Sequence, residues 1–354
     1  MKNICFITLG NLYLCPYLEF YLRQINGPYT VIFWDREQRN ETANGQAIYK
    51  RFSFSCTTNN NFRKIMGYIK FRKYIKRTLH KNVFDVIVLL QTQAALLVYD
   101  LLLKYYKGKY IIDIRDYSYE KYNFIYNMEA TLIKNSLHTI ISSNGYRAFL
   151  PPHDYLVIHN LRYLPKVQTK HISLREKRQN VLTIAFIGFV NYQKQHQKLI
   201  LSLKDDSRFE LRFIGTRAKE LEAFCQDHAV KNVTLIDTFD SSKIVDLYHG
   251  VDFVNNLYGN HTPVLDYALS NKLYFAAELR IPILVCPDTY MSDVVEDYGI
   301  GLTVDINSYN LGNTLYDYYW KINWEVFDRN CSMFLDKAYV ENNNLEKLIK
   351  ETFL

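Results

Sequence analysis

The sequence predicts an α/β fold made of two doubly wound domains, and three observations support this prediction. Short runs rich in Val, Ile and Phe alternate with helical patterns along the chain. Such alternation is typical of a parallel sheet with helices on both faces. A chain of 354 residues is long for one core and sufficient for two. A polar, basic stretch at residues 161–180 contains Pro165 and separates two such series, which indicates a linker.

The two series give the predicted domain boundaries. Residues 1–165 form the first predicted domain, and residues 178–325 form the second. Residues 326–354 have a helical pattern, and we expect this tail to pack back onto the first domain. In doubly wound sheets, ligands bind outside the carboxyl ends of the strands, where the strand order reverses. We therefore expect the two domains to face a ligand-binding cleft.

Composition excludes several classes of protein. Charged residues make up 22% of the chain and hydrophobic residues 48%, which is typical of a soluble globular protein. No apolar stretch approaches the ~20 residues of a membrane-spanning helix, and the N-terminal MKNICFITLG is too short for a cleavable signal. The six cysteines are widely spaced without a C-x-x-C pair. This spacing favours free thiols in a reducing cytoplasm over disulfides or a zinc site.

The net charge of +7 comes from one segment of the chain. Between residues 42 and 84 there are ten Lys and Arg residues and no Asp or Glu. At about 100° per residue, residues 62–81 form a helix whose apolar side carries Phe62, Ile65, Met66, Ile69 and Leu79. Another side is basic, through Arg63, Lys70, Arg77 and Lys81. Such a helix suits an anionic membrane surface, and a solvated helix face is the alternative. No nucleic-acid-binding motif accompanies it.

Residues 270–305, SNKLYFAAELRIPILVCPDTYMSDVVEDYGIGLTVD, carry the clearest functional pattern. They predict a helix, a short buried strand, a helix and a glycine-flanked strand. Asn271 and Lys272 stand at the start of the first helix, where free backbone N–H groups and a cation favour an anionic ligand. The stretch resembles the donor-binding end of family 4 glycosyltransferases of the GT-B fold. Their pattern is Pro-Asn-Lys-Leu-Phe-Glu-Tyr, then Gly-x-Pro, then Gly-x-Gly-Leu.

The resemblance implies two Rossmann-like domains that transfer a sugar from a nucleotide sugar with retention of configuration. It implies no metal and no cofactor, and no Asp-x-Asp spacing occurs in the chain. The implied partners are the nucleotide sugar and a glycan or polyprenyl-linked acceptor of bacterial surface polysaccharide synthesis. The implied location is cytoplasmic and peripheral on the inner face of the membrane. Catalysis would be electrostatic, with Lys272, Lys194 and helix N-termini stabilising the leaving diphosphate.

Further donor-binding candidates follow from the same resemblance. Gly188 ends the strand pattern LTIAFI and precedes Lys194, as in the diphosphate loop of the family, but Phe189 stands where the family has Arg. The loop after the strand pattern at residues 252–255 would contact the transferred sugar. The remaining donor candidates are Arg217, Tyr258, Asn260, His261 and Asn271.

Two glutamates of the family, eight residues apart, are missing from this sequence. Tyr267 holds the first position and Phe275 holds the second, which contacts the ribose in the family. Asp266 and Glu278 lie close by and could replace them. Ribose recognition is therefore unassigned.

The acceptor candidates lie in the first half. Arg115 and Asp116 end a strand pattern in DIRDYSYEKY, so we expect them to face the cleft. Asp116 could position or deprotonate an acceptor hydroxyl, and Arg115 could fix Asp116 or a phosphate; a structural Arg–Asp pair is the alternative. Gly10 and Asn11 close the first strand and match the acceptor-facing loop of the family.

Two other functions remain open. A sugar-nucleotide epimerase uses the same fold, and the missing glutamates suggest a catalytically inactive subunit that binds a sugar nucleotide. Other classes are disfavoured by missing motifs. No G-x-G-x-x-G follows the first strand, and the chain has no Walker A loop and no G-x-S-x-G elbow.

Overall fold

The computed structural model describes residues 2–25, 27–41, 47–56, 61–161, 181–239 and 244–353. The predicted linker lies outside the described residues, apart from Leu161. The chain divides into two units. Unit 1 comprises Met1–His159 and Val340–Leu354, and unit 2 comprises Asn160–Tyr339.

Unit 1 is built on a parallel sheet. Its described strands are β1 (Ile4–Thr8), β2 (Tyr29–Asp35), β3 (Ala47–Ser53), β4 (Val86–Leu90), β5 (Tyr110–Ile114), β6 (His138–Ile141) and β7 (Leu156–Val157). They pair in the order β3-β2-β1-β4-β5-β6-β7. The strand order reverses between β1 and β4, which places a ligand-binding crevice beyond the carboxyl ends of these two strands.

The helices of unit 1 connect successive parallel strands. They are α1 (Leu18–Leu22), α2 (Asn61–Lys81), α3 (Thr92–Leu97), α4 (Tyr99–Tyr105) and α5 (Asn123–Lys134), with 3-10 turns at Leu12–Leu14 and Asn144–Ala148. One core of this unit joins side chains of β1, β2, β4, β5 and β6 to the end of the C-terminal helix, through Leu345, Leu348, Ile349 and Phe353. Lys2 N–H also donates to the Phe353 carbonyl at 3.3 Å.

Unit 2 repeats the same topology. Its described strands are β8 (Leu182–Ile187), β9 (Phe209–Ile214), β10 (Val233–Ile236), β11 (Phe253–Asn256), β12 (Ile283–Val285) and β13 (Gly301–Thr303). They pair in parallel in the order β10-β9-β8-β11-β12-β13. The reversal lies between β8 and β11. Two parallel sheets of this order confirm the predicted fold class of two doubly wound, Rossmann-like domains.

The helices of unit 2 flank this second sheet. They are α6 (Gln193–Leu203), α7 (Glu222–Asp227), α8 (Pro263–Asp266), α9 (Asn271–Leu279), α10 (Tyr290–Tyr298), α11 (Leu311–Lys321) and the first part of α12 (Trp324–Phe353), with 3-10 turns at Ala218–Leu221 and Asp246–Tyr248. The described part of the chain contains no helix with both the length and the apolarity needed to cross a membrane.

The buried side of α2 differs from the apolar side that the sequence predicted. Leu79 is buried, but Phe62, Ile65 and Ile69 are 73%, 57% and 45% exposed. The helix instead buries the side that contains Gly67, Phe71 and Ile75. The reason is the close approach of Gly67 to β2, where a Cβ atom would lie 2.4 Å from the ring of Trp34.

Gly67→Ala tests this close approach. Alanine in a helix interior normally stabilises by about 1 kcal/mol relative to glycine. Here Trp34 is fully buried, and overpacking costs roughly 1–3 kcal/mol. We therefore expect the free energy of unfolding in urea to fall. The control Lys73→Ala on the exposed side of α2 should not lower it, and a stabilised Gly67→Ala variant would contradict the packing described here.

Candidate functional site

The start of α9 is fixed to the carboxyl edge of the second sheet. Ser270 is the N-cap of this helix, and its Oγ accepts the backbone N–H of Lys272 at 3.2 Å. The same hydroxyl donates to Oδ1 of Asn256 at 2.7 Å. Asn256 is the last residue of β11, so the cap places the first turn of α9 beside the point where the strand order reverses. Sequence reasoning missed Ser270 and Asn256 as site residues, although Ser is a common N-cap.

The side chain of Lys272 returns to this same edge. Its ammonium donates to the hydroxyl of Tyr258 at 2.8 Å and lies 4.0 Å from the ring centroid of Phe186. A Cβ atom at Gly188 would lie 3.5 Å from the ammonium nitrogen. Phe186 belongs to β8 and Gly188 follows it, whereas Tyr258 follows β11. The structure therefore brings Lys272, Gly188 and Tyr258, all predicted from the sequence, to the strand reversal of unit 2.

The ammonium of Lys272 has no opposite charge beside it in the described part of the chain. Only 9% of the residue is exposed. Among the described residues, Tyr258 is the only hydrogen-bond partner of its ammonium group, and no carboxylate pairs with it. Burial lowers the pKa of this amine to about 7. A desolvated, unpaired cation is unfavourable in the free protein. At a strand-reversal edge it is therefore a strong indication of a site for an anion.

Two glycines make the loops around Lys272 possible. Gly188 and Gly215 have φ angles of +135° and +133°, which L side chains rarely adopt. A Cβ atom at Gly215 would lie 1.8 Å from the carbonyl oxygen of Gly188. The loops after β8 and β9 therefore contact each other backbone to backbone at the carboxyl edge of the sheet.

The other predicted donor residues either make contacts of their own or are exposed. Arg217 pairs with both carboxylate oxygens of Glu220 at 2.7 and 2.8 Å and donates to Asn191 at 3.1 Å. Lys194 is exposed on the first turn of α6, where it makes no hydrogen bond or ion pair within the described part of the chain. Asn260 donates to the Pro287 carbonyl at 3.0 Å. His261 and Asn271 are exposed.

The acidic candidates of unit 2 differ in what they contact. Glu278 accepts from the hydroxyl of Tyr339 at 3.1 Å, and burial raises its pKa to about 7. Asp266 ends α8, and its Oδ1 is buried without a hydrogen-bond partner in the described residues. Phe275 is buried and stacks on Tyr248 with ring centroids 6.0 Å apart. Asp266 therefore has an unsatisfied buried acceptor, whereas Phe275 is part of the core.

Arg115 is part of a buried ion pair at the carboxyl end of β5. Its Nε and Nη2 donate to the two carboxylate oxygens of Asp113 at 2.5 and 2.9 Å, and its Nη1 donates to the Ile158 carbonyl at 2.8 Å. Tyr21 donates to the same carboxylate at 2.6 Å. The structural Arg–Asp pair considered above thus exists, and its acid is Asp113. Arg115 positions the strand end on which Asp116 follows.

Asp116 is available for a ligand. The residue is exposed and makes no hydrogen bond within the described ranges. Surrounding protein atoms restrict the hydration of its carboxyl group and raise its pKa to about 6, and the nearby charge of Arg115 opposes this rise. A carboxylate that keeps its own lone pairs free at the end of a strand can accept a proton or position a hydroxyl.

Asn11 connects two loops of unit 1. Its Nδ2 donates to Asp35 at 2.8 Å and to Glu41 at 3.1 Å, and its Oδ1 accepts the backbone N–H groups of Arg36 and Glu37. The predicted acceptor residue Asn11 therefore already uses its amide to hold the loops after β1 and β2. Gly10, the other predicted acceptor residue, precedes it.

Gln91 is a candidate that the sequence did not indicate. It follows β4, on the other side of the strand reversal from β1, and its N–H donates to the Asp113 carbonyl at 2.9 Å. Its backbone has φ 94° and ψ 144°, a region that is essentially reserved for glycine and costs about 1–3 kcal/mol. Such strain concentrates at functional sites. No local sequence pattern indicates it, because glutamine is not expected at this φ.

Comparisons with known proteins identify the fold. No model of a protein family and no curated protein matches the sequence. Solved structures match over the whole chain. Sucrose-phosphate synthase from Thermosynechococcus elongatus superposes with a TM-score of 0.75 at 13% identity, covering 100% of this chain and 99% of that one. The chain has the GT-B fold.

Two further GT-B structures share this fold with the chain. HepE from Anabaena, in complex with UDP and glucose, gives a TM-score of 0.68 at 12% identity and covers 99% of this chain and 100% of its own. WaaG, a glycosyltransferase involved in lipopolysaccharide biosynthesis, gives a TM-score of 0.65 at 11% identity and covers 98% of this chain and 99% of its own. Within the described residues of this chain, no three His, Cys, Asp or Glu side chains form a group that could hold a metal ion.

Lys272→Met tests whether the buried charge is a cost to the free protein. The unfolded amine has a pKa near 10.4, whereas the folded value is about 7. Between about pH 7 and 10 the unfolded chain therefore binds the proton that the folded chain has lost, and the free energy of unfolding rises with pH. In urea titrations, Lys272→Met should remove up to about 4 kcal/mol of this rise with pH. At pH 7 the variant should be more stable than the wild type. An unchanged pH profile would exclude an unpaired buried amine.

Gln91→Gly tests the strain after β4. Glycine adopts this backbone conformation freely, although it loses about 0.5–1 kcal/mol through entropy. Relief of the strain should outweigh this loss, so the urea midpoint should rise by an amount equivalent to about 1 kcal/mol. Gln91→Ala keeps the strain and serves as the matched control, which should not be stabilised. Equal midpoints for the two variants would contradict the strained conformation.

Proposed function

We propose that this chain is a glycosyltransferase that moves a sugar from a nucleotide sugar to a glycan or lipid-linked acceptor. The observation that carries the proposal is the buried, unpaired ammonium of Lys272 at the strand reversal of unit 2. The GT-B fold supports it. The complex of HepE with UDP-glucose has a similar fold, with a TM-score of 0.67 at 11% identity.

The donor diphosphate would bind at the first turn of α9. Lys272 and the free N–H groups at the start of this helix supply positive charge to the phosphates. A bound dianion would raise the pKa of Lys272 again, because an opposite charge favours the protonated amine. As the bond between sugar and diphosphate breaks, negative charge grows on the leaving group. The ammonium then stabilises the transition state more than the ground state, so the proposed reaction uses neither a metal nor a cofactor.

Asp116 would act on the acceptor. With a pKa of about 6, its carboxyl group is ionised at neutral pH and can accept or orient the proton of an acceptor hydroxyl. Arg115 would contribute by holding the strand end through Asp113. Asp266, with its unpartnered Oδ1, is the candidate for a ribose hydroxyl in place of the missing glutamates. Retention of configuration is proposed from the sequence resemblance.

The proposed acceptor belongs to a bacterial surface polysaccharide and is presented at an anionic membrane. The support is the exposed side of α2, on which Phe62, Ile65 and Ile69 adjoin basic residues. Exposed apolar and cationic side chains on one helix suit the interface of an anionic bilayer. Of the predicted basic residues, Lys70 and Arg63 also contact the ring of Phe54. Arg77 and Lys81 are exposed.

An inactive subunit that binds a sugar nucleotide is the second candidate. It is favoured by Phe275, which is buried in the core at the position of a glutamate of the family. Such a subunit would bind a nucleotide diphosphate at Lys272 without transferring a sugar. Binding and transfer must therefore be measured separately.

Thermal stabilisation by UDP, GDP and ADP tests the donor site, because a ligand that binds only the folded state raises the midpoint. We expect one of them to stabilise the wild type and to lose this effect in Lys272→Met. The control Lys198→Met removes an exposed cation from α6 and should keep it. Equal stabilisation of Lys272→Met and the wild type would exclude the proposed phosphate site.

Asp116→Asn separates transfer from binding. It should bind the nucleotide normally but lower the rate of sugar transfer by roughly 10²–10⁴-fold. The wild-type rate should rise with pH through about 6, as the carboxyl group loses its proton. Nucleotide binding without any sugar transfer by the wild type would favour the inactive subunit.

A further inference from the structure

A cavity lies in unit 1, at the edge of the sheet where the strands begin. Its volume is about 240 Å³. The last turn of α2, the last turn of α4 and the residues just before β4 and β5 line it. Gln91 and Asp116 follow the opposite ends of β4 and β5. The cavity is therefore separate from the candidate acceptor residues.

The lining of this cavity is cationic over an apolar floor. Leu79, Phe84 and Leu101 are its buried apolar residues. Lys76, His80 and Lys109 supply the cationic or protonatable groups, and Tyr105 and Tyr106 add hydroxyls. No carboxylate is among the described lining residues. This combination suits a ligand that has both a negative charge and an apolar part.

The positive charge around the cavity comes from two distant stretches of sequence. Residues 104–109, KYYKGK, run from the last residues of α4 to the start of β5, and the fold brings them to the end of α2. Asp100 is already paired with Arg72 at 2.8 Å, and Asp85 accepts the backbone N–H of Asn3. The two helix C-termini at the cavity carry only about half a negative charge each. The exposed cations around the cavity carry more positive charge than these two helix ends can balance. They are Lys73, Lys76, Arg77, Lys81, Lys104, Lys107 and Lys109.

The apolar surroundings point to a bilayer. Val83 is 86% exposed and Tyr105 is 51% exposed, and both line the cavity. At about 100° per residue, Lys76 and His80 lie on the same side of α2 as Ile69. Exposed apolar side chains give no advantage with a dissolved ion, but they gain from insertion among lipid headgroups and acyl chains.

We propose that this cavity binds the phosphate headgroup of an anionic membrane lipid. Lys76 and Lys109 contact the phosphate, and Val83 and Tyr105 enter the interface beside it. The proposal deepens the membrane contact suggested under the proposed function. It does not depend on sugar transfer.

Vesicle co-sedimentation of the full chain tests the charge requirement. The vesicles are phosphatidylcholine alone or phosphatidylcholine with phosphatidylglycerol. We expect binding only to the anionic vesicles and a loss of roughly tenfold or more in Lys76→Glu/Lys109→Glu, since each basic residue contributes substantially near an anionic surface. Lys219→Glu/Lys231→Glu makes the same change of net charge in unit 2 and should bind like the wild type. Equal loss in both double variants would overturn the proposal.

A substitution that keeps the charge distinguishes the cavity from diffuse attraction. Asn82 lines the cavity, so Asn82→Trp should block the headgroup and lower the ratio of binding to anionic over neutral vesicles. The Asn82 side chain donates to the Thr78 carbonyl at 2.8 Å, and both substitutions lose this bond. Asn82→Ala adds no bulk and should keep the ratio. An unchanged ratio in Asn82→Trp would leave only diffuse attraction and overturn the proposal.

A soluble phosphate ester is the remaining alternative ligand of the cavity. Glycerol phosphate without vesicles could raise the thermal midpoint as much as anionic vesicles do. That result would assign the cavity to a soluble phosphate and exclude the lipid. None of these variants changes Lys272, Gly188 or Tyr258, so stabilisation by a nucleotide diphosphate should persist in all of them. Failure of the lipid proposal therefore leaves the proposed donor site intact, and the reverse also holds.

Discussion

The burial of one positive charge is the constraint on which the functional interpretation depends. Lys272 is held by the Ser270 cap at the start of α9 and directed against the hydroxyl of Tyr258 and the ring of Phe186. The same desolvation that lowers its pKa to about 7 strengthens its attraction to an anion, because charges interact more strongly where water is excluded. At the proposed donor site, ligand binding would therefore be coupled to protonation of Lys272. A free protein that carries such an uncompensated group gains stability by binding a phosphate.

Both sheets combine an unusual backbone with a held side chain at their carboxyl edges. In unit 2, Gly188 and Gly215 adopt positive φ angles beside Lys272. In unit 1, Gln91 adopts a positive φ angle after β4, and the buried pair of Arg115 and Asp113 holds the end of β5. These are the edges at which doubly wound sheets bind ligands. In unit 1 the buried pair lies directly before Asp116, which makes no hydrogen bond within the described residues; a fixed support of this kind is what a preorganised site requires.

The sequence predicted the fold class well, because buried parallel strands read as continuous apolar runs and depend on little beyond their own residues. It missed β3, an edge strand in which Lys50 and Arg51 interrupt the apolar pattern and burial is partial. Residues 92–105 form two helices that meet at Val98, a break that the helical pattern of the sequence does not show. The sequence did not indicate which side of α2 is buried, because the contact of Gly67 with Trp34, made between separate elements, decides this.

By itself, the sequence determined the α/β class and the Asn-Lys start of α9, since these follow from neighbouring residues. Only the tertiary structure decided that Lys272 lacks a carboxylate partner among the described residues, that Arg115 pairs with Asp113, and that residues 104–109 extend the basic surface of α2. Desolvation and hydrogen bonding act over a few ångströms. Their outcome depends on which distant parts of the chain the fold brings together, and no local pattern specifies that.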